Sequence, residues 1–276
     1  MWRFFESLRA WIRFRDYKPQ RVTLASIGRW IRQFDKRDRR AACLLLKKVI
    51  YLSEAETRRI LVEQNSALMK RLKAAGLSSR KFVYVQVHDA GSSSPVMLNM
   101  LRDAAGLERL GCRFVDSRDS LRLHKVTNEV GEGALIYVDD FAGSGNQFCT
   151  ARDFAVKNVV GTFSEFLIVP SICEEAIYKI AERGIEAFAG HVHSKAERPL
   201  HHNSTILGPD VKQRLSQVCR GISPRMALGY QELATMVVLY RNAPTTVPAV
   251  LRGNRDQKPF AVIFPRTTDL AIRELE

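Results

Sequence analysis

Residues 134–150 read Ala134-Leu-Ile-Tyr-Val138-Asp139-Asp140-Phe-Ala142-Gly143-Ser144-Gly145-Asn146-Gln147-Phe-Cys149-Thr150. A short apolar run containing Ile136, Tyr137 and Val138, closed by a glycine-rich turn, predicts a buried strand rather than a helix. The loop behind it carries chemistry. Asp139 and Asp140 are pure acceptors when ionised; they suit vicinal sugar hydroxyls, or a divalent cation held directly or through water. Gly143-Ser144-Gly145 lets backbone N–H groups close around an anion. A helix starting near Gln147 turns its positive end toward the same charge. Carboxylates for a sugar and amides for a phosphate in one loop describe a grip on ribose 5-phosphate. The plainer alternative is an acidic strand end followed by an ordinary glycine turn.

On either side of this stretch, β-rich runs at Phe82–Val87, Arg113–Asp116, Ala134–Val138, Glu165–Val169 and Ile185–His191 alternate with helical stretches. That rhythm predicts an α/β fold with a mostly parallel, doubly wound sheet covered on both faces. Ligands in such sheets sit at the carboxyl ends of the strands. The first of those ends carries His88-Asp-Ala-Gly91-Ser92-Ser93-Ser94-Pro95, whose amides and hydroxyls at Gly91, Ser92, Ser93 and Ser94 can cradle a second anion. The second leads into Asp116-Ser-Arg118-Asp-Ser-Leu-Arg122-Leu-His-Lys125. Its cations Arg118, Arg122 and Lys125 either face a ligand or decorate a solvated helix.

Upstream, residues 24–74 read as helical throughout, with Asp35 as an N-cap and Ser53-Glu-Ala-Glu56 as a capping box. Gly76-Leu-Ser-Ser79 is the expected linker. The expected division is a basic amphipathic helix at 1–22, a helical subdomain at 23–80 and the α/β domain at 81–276. The C-terminal part of that domain is hood-like and includes Leu233–Arg252. In the first helix Trp2, Phe5, Leu8, Trp11 and Ile12 form a stripe beside Arg3, Arg9, Arg13 and Arg15. Such a stripe packs on its own domain or on a neighbour in a homo-oligomer, lies on an anionic membrane surface, or enters a partner's groove.

The formal charge of +14 is concentrated early, since residues 1–40 hold 12 Lys and Arg against 4 Asp and Glu. The patch suits nucleic acid, an anionic membrane or an acidic partner protein. The five cysteines form no CxxC pair, which argues against zinc and disulfides and fits a reducing cytoplasm. The paired histidines at 191/193 and 201/202 find no carboxylate at metal spacing, and no nucleophile elbow is present. No apolar run approaches the roughly 20 residues of a transmembrane span. The Arg-rich start lacks the features of a secretory signal.

Ile136 to Gln147 resembles the signature of the type I phosphoribosyltransferases: four apolar residues, two acidic ones, then a short Gly/Ser/Thr loop that binds phosphoribosyl pyrophosphate (PRPP). The resemblance implies Ala142, Gly143, Ser144, Gly145, Asn146 and Gln147 as PRPP ligands. It implies Asp139 and Asp140 on the ribose and Mg²⁺, and Gly91–Ser94 on the pyrophosphate. Arg118, Arg122 and Lys125 fall where that family has its mobile catalytic loop. Trp30-Ile-Arg-Gln-Phe34, Tyr51-Leu-Ser-Glu54 and Asn242-Ala-Pro-Thr-Thr-Val-Pro248 extend the likeness to one branch, the phosphoribosyltransferase-like proteins of bacterial conflict systems. The branch implies an antiphage effector or regulator, in some cases beside a retron reverse transcriptase complex. Two departures stand out. Gly143 replaces an acidic residue that can act as general base, and Gln147 replaces a Ser or Thr. Transfer of the phosphoribosyl group, nucleotide sensing without turnover, and glycohydrolysis by a toxin therefore all stay open.

Overall fold

The computed structural model describes residues 2–87, 93–253 and 260–266, with side chains from Phe5 onward. In chain order the elements are α1 (Trp2–Phe14), α2 (Leu24–Arg32), α3 (Arg39–Lys48), β1 (Ile50–Leu52), α4 (Glu54–Ala74), β2 (Phe82–Gln86), α5 (Ser93–Ala105), β3 (Arg113–Asp116) and α6 (Ser120–Val130). They continue with β4 (Glu132–Val138), β5 (Phe141–Ala142), α7 (Asn146–Ala155), β6 (Thr162–Cys173), α8 (Glu174–Ala181), β7 (Glu186–His193), α9 (Pro209–Ile222), β8 (Val237–Leu239) and α10 (Ala249–Arg252). The chain forms two compact units, Ala55–Val192 and Met1–Glu54 with His193–Glu276. These units partition the chain differently from the segments 1–22, 23–80 and 81–276 read from the sequence.

The Ala55–Val192 unit is built on a sheet of order β3-β2-β4-β6-β5, with β7 also paired to β6. The pairs β2–β3, β2–β4, β4–β6 and β5–β6 are parallel. The pleat sorts the strand residues by parity. Val83, Val85, Leu135, Tyr137, Leu167 and Val169 join Leu123, Phe148, Ala176 and Ile180 of α6, α7 and α8. Phe82, Tyr84, Ala134, Ile136, Phe166 and Ile168 join Leu61, Leu68 and Leu72 of α4 and Met97 and Leu101 of α5. Both faces are covered, which is why the strands read as continuous apolar runs. This is the expected α/β doubly wound architecture. Gly76–Ser79 lies inside this unit, joining α4 to β2 whose apolar residues share one cluster, and so does not separate two bodies.

The other unit closes a core of Phe14, Trp30, Leu45, Leu215, Cys219, Val238, Val250 and Phe264. Trp30 Nε1 donates to the Val250 carbonyl at 2.7 Å, and Tyr17 Oη to that of Pro265 at 2.7 Å. Three local expectations change here. Ile50–Leu52, read as helix, is a strand pairing in parallel with Val237–Leu239. Asp38 and not Asp35 precedes α3, and its carboxylate is taken by Arg214 at 2.7 Å instead of capping the helix. Helix α1 buries Ala10 and Phe14, while Phe5 and Ile12 of the expected stripe are 55% and 52% exposed. The basic helix therefore packs on its own unit. Among the described residues no helix is long and apolar enough to cross a membrane.

Candidate functional site

Strand β4 delivers the acidic pair to the carboxyl edge of the sheet, and β6 decides where the strand opens. Val138 pairs with Ile168, and on the far side of the acidic pair Phe141 pairs with Ser171 in unchanged register. Asp140 thus stands level with Pro170. The Asp139 amide still donates to the Ile168 carbonyl at 3.1 Å. The next rung would need an N–H from Pro170 to the Asp139 carbonyl, and proline has none. The ladder breaks at Asp139-Asp140 because of a residue on the neighbouring strand.

Asp139 is 6% exposed, and its Oδ1 accepts hydrogen bonds from Ser93 Oγ at 2.7 Å and from the Asp140 amide at 2.9 Å. Ser94 Oγ donates to the Val138 carbonyl at 2.8 Å and accepts from the Val87 amide at 3.4 Å. The two anion loops read from the sequence are therefore tied together by consecutive serines at the start of α5. Gly91 and Ser92, the rest of the second loop, lie outside the described residues. Asp140 is only half-buried, so its carboxylate has more access to solvent than that of Asp139.

Beyond the acidic pair, Ala142 is buried and Gly143, Ser144 and Asn146 are half-buried, while Gln147 is exposed. Gly145 takes φ +76° as the N-cap of α7, and a Cβ there would lie 3.3 Å from Ala176 Cα. Only glycine meets both the left-handed backbone and the close approach of α8. The Asn146 amide donates to Ser144 Oγ at 3.3 Å, and Lys179 Nζ of α8 donates to Asn146 Oδ1. Lys179 thus sets a positive charge beside the first turn of α7. Its role is not legible in the sequence, because nothing in the spacing of α8 shows that it leans on a loop so far upstream. Equally illegible is Ser171, fully buried opposite Phe141, whose hydroxyl has no hydrogen-bond partner among the described residues.

The expected catalytic cations lie along β3 and α6. The Arg118 guanidinium grips the Asp116 carboxylate, at 3.0 Å from Nε and 2.6 Å at its shortest, and this holds Asp116 below the usual carboxylate range. Asp119 caps α6 by accepting from the Arg122 amide at 3.0 Å, and Arg122 and Lys125 are exposed. With β2 between them, the ends of β3 and β4 share one edge about 10 Å apart. Only Ser117–Asp119 separate β3 from α6, so a helix begins where the resemblance placed a mobile loop.

In the other unit, His193 is fully buried and its Nε2 accepts from the Met236 amide at 3.1 Å. Glu197 Oε2 lies 3.6 Å from its Nδ1, so a carboxylate does accompany this histidine, contrary to the sequence reading.

The PRTase-CE family model matches residues 27–266. No curated protein matches the chain. Among solved structures it is similar to an orotate phosphoribosyltransferase from Aeropyrum pernix, at 19% identity and TM-score 0.31, over 46% of this chain and 69% of that one. It is also similar to a hypothetical protein from Neisseria gonorrhoeae with bound ppGpp, at 13% identity and TM-score 0.35, over 62% and 97%. A third is the AQ2163 protein from Aquifex aeolicus, at 12% identity and TM-score 0.31, over 43% of this chain and 57% of that one. The family match takes in the whole parallel sheet, the acidic pair and the glycine loop, and the chain belongs to the phosphoribosyltransferase-like PRTase-CE family.

Proposed function

We propose that the protein binds PRPP, or a related ribose phosphate, with Mg²⁺ at the edge formed by Ser93–Ser94 and Asp139–Gln147, and works as an effector or regulator in bacterial antiphage defence. The observation that carries the binding half is the Ser93–Asp139 hydrogen bond, which joins the two loops that a ribose carrying two anionic groups would need. The sequence likeness to the conflict-system branch supports the biological half.

The donor set suits Mg²⁺: two neighbouring carboxylates with hard oxygens, the more accessible Asp140 beside an Asp139 fixed by hydrogen bonds, would hold the ion. When bound, the ion neutralises charge on the pyrophosphate. The chain's own part is orientation. Asp139 and Asp140 accept from the ribose hydroxyls, and the Gly143–Asn146 turn and Lys179 face the 5′-phosphate. In transfer, the bond from the anomeric carbon to pyrophosphate breaks as an acceptor attacks, and held charges around both groups supply most of the rate.

A second reading, sensing without turnover, draws support from Gly143, which offers no carboxylate base, and from the helix that starts three residues after β3. In that reading the basic N-terminal region meets nucleic acid or a partner protein. Calorimetric PRPP titration together with a pyrophosphate-release assay over a broad acceptor panel separates the cases. Binding with release supports transfer, and binding without release supports sensing. Free base from nucleotides in the absence of PRPP marks a glycohydrolase, and no binding of any ribose phosphate overturns the proposal.

A further inference from the structure

Away from the sheet, α1, α2 and α3 enclose a pocket of about 150 Å³. Its floor is Ala10, Phe14, Ile27, Ile31, Cys43 and Leu46, all buried. Four charged side chains also line it, Glu6, Arg9, Arg13 and Lys47. Three of the four are cations, and Glu6 is ion-paired with Arg9 at 3.8 Å. Arg13 is fixed in place: its guanidinium donates to the Lys47 carbonyl at 3.3 Å and to the Val49 carbonyl. A guanidinium has five N–H donors, so this anchoring leaves it able to meet a further acceptor.

Size and charge together define an occupant. An apolar cavity of about 150 Å³ takes a single benzene-sized group. The lining is net positive, and it sits in the most basic part of the chain. We infer that this pocket binds a small amphipathic anion, a carboxylate bearing a single ring or a linear tail of about six carbons, with the tail on Phe14, Ile27, Ile31 and Leu46 and the head among Arg9, Arg13 and Lys47. Nothing in it depends on the ribose-phosphate loop.

Hexanoate is the probe, titrated calorimetrically into the full chain. Each methylene removed, from hexanoate to butanoate, should weaken binding about fourfold. Hexylamine should bind at least about tenfold more weakly than hexanoate, because the cations repel it. Ala10→Phe, which fills the pocket, should cost about tenfold or more, measured against circular dichroism to show that the fold is kept. Lys47→Glu changes an exposed residue and should weaken hexanoate about fivefold without threatening the core. Asp139→Asn/Asp140→Asn should leave hexanoate binding unchanged. Absence of hexanoate binding to the wild type, equal binding of hexylamine, or indifference to both Ala10→Phe and Lys47→Glu would overturn the assignment.

Discussion

Ser93 Oγ donates to Asp139 Oδ1 at 2.7 Å, so the first turn of α5 holds the first carboxylate of the acidic pair in a set orientation. A hydrogen bond to a charged group contributes about 1.5–3 kcal/mol. Ser93→Ala should lower stability by roughly that amount in urea unfolding and weaken PRPP binding about tenfold by calorimetry. Ser93→Thr, which keeps the hydroxyl, should recover most of both. Loss of stability with unchanged affinity would show that the bond is structural only.

Gly145→Ala tests the turn that presents the amides. The new Cβ meets α8 at 3.3 Å, and the left-handed backbone costs a side chain about 1–2 kcal/mol. The variant should unfold at lower denaturant and lose phosphate-dependent affinity, so that ribose 5-phosphate suffers more than ribose. An affinity equal to wild type would separate the turn from phosphate binding.

Lys179→Met removes the charge beside α7. Affinity for ribose 5-phosphate should fall and its salt dependence should flatten, whereas Lys179→Arg should keep both. A salt dependence identical to wild type would place Lys179 in a purely structural contact with Asn146.

Below the sheet edge, Glu165 accepts from Tyr137 Oη at 2.7 Å and from Arg152 Nε at 2.8 Å, with both members of the ion pair largely buried. Burial first, and then the Glu165 charge, raises the Tyr137 phenol well above its ordinary value. Glu165→Ala leaves Tyr137 without that acceptor and Arg152 with Asp153 at 3.2 Å, and should cost about 1–3 kcal/mol in urea unfolding. A cost below about 1 kcal/mol would mean that water replaces the carboxylate.

Burial pushes the Cys219 thiol up to about 12 and that of Cys112 up to about 11. The unfolded chain releases these protons at lower pH than the folded one. Their contribution is complete below the unfolded thiol value and is lost as pH rises toward the folded values. Stability should therefore decline across that alkaline window, and Cys219→Ala should flatten part of the decline. An unchanged slope in the variant would contradict the burial of Cys219.

What the sequence showed and concealed follows from how local each signal was. The strand ending at Val138 and the helix after Gly145 were legible because each is written in consecutive residues. Ile50–Leu52 was not, because three apolar residues carry no period, and their strand state comes from pairing with Val237–Leu239. The face of α1 is legible only in part: Trp11 of the stripe packs on the core, but Ala10 and Phe14 are selected by that distant core, which includes Phe264, and Phe5 and Ile12 stay exposed. Pro170, Ser171 and Lys179 were invisible for the same reason. They act on the loop across strand and helix contacts that only the fold creates.

The most direct measurement is calorimetric titration of PRPP and ribose 5-phosphate, with and without Mg²⁺, into the wild type and into Asp139→Asn/Asp140→Asn. Wild-type binding that Mg²⁺ strengthens for PRPP, and that falls at least about tenfold in the double variant, is the expected result. Equal binding by the two proteins would contradict a ribose-phosphate site at Asp139 and Asp140.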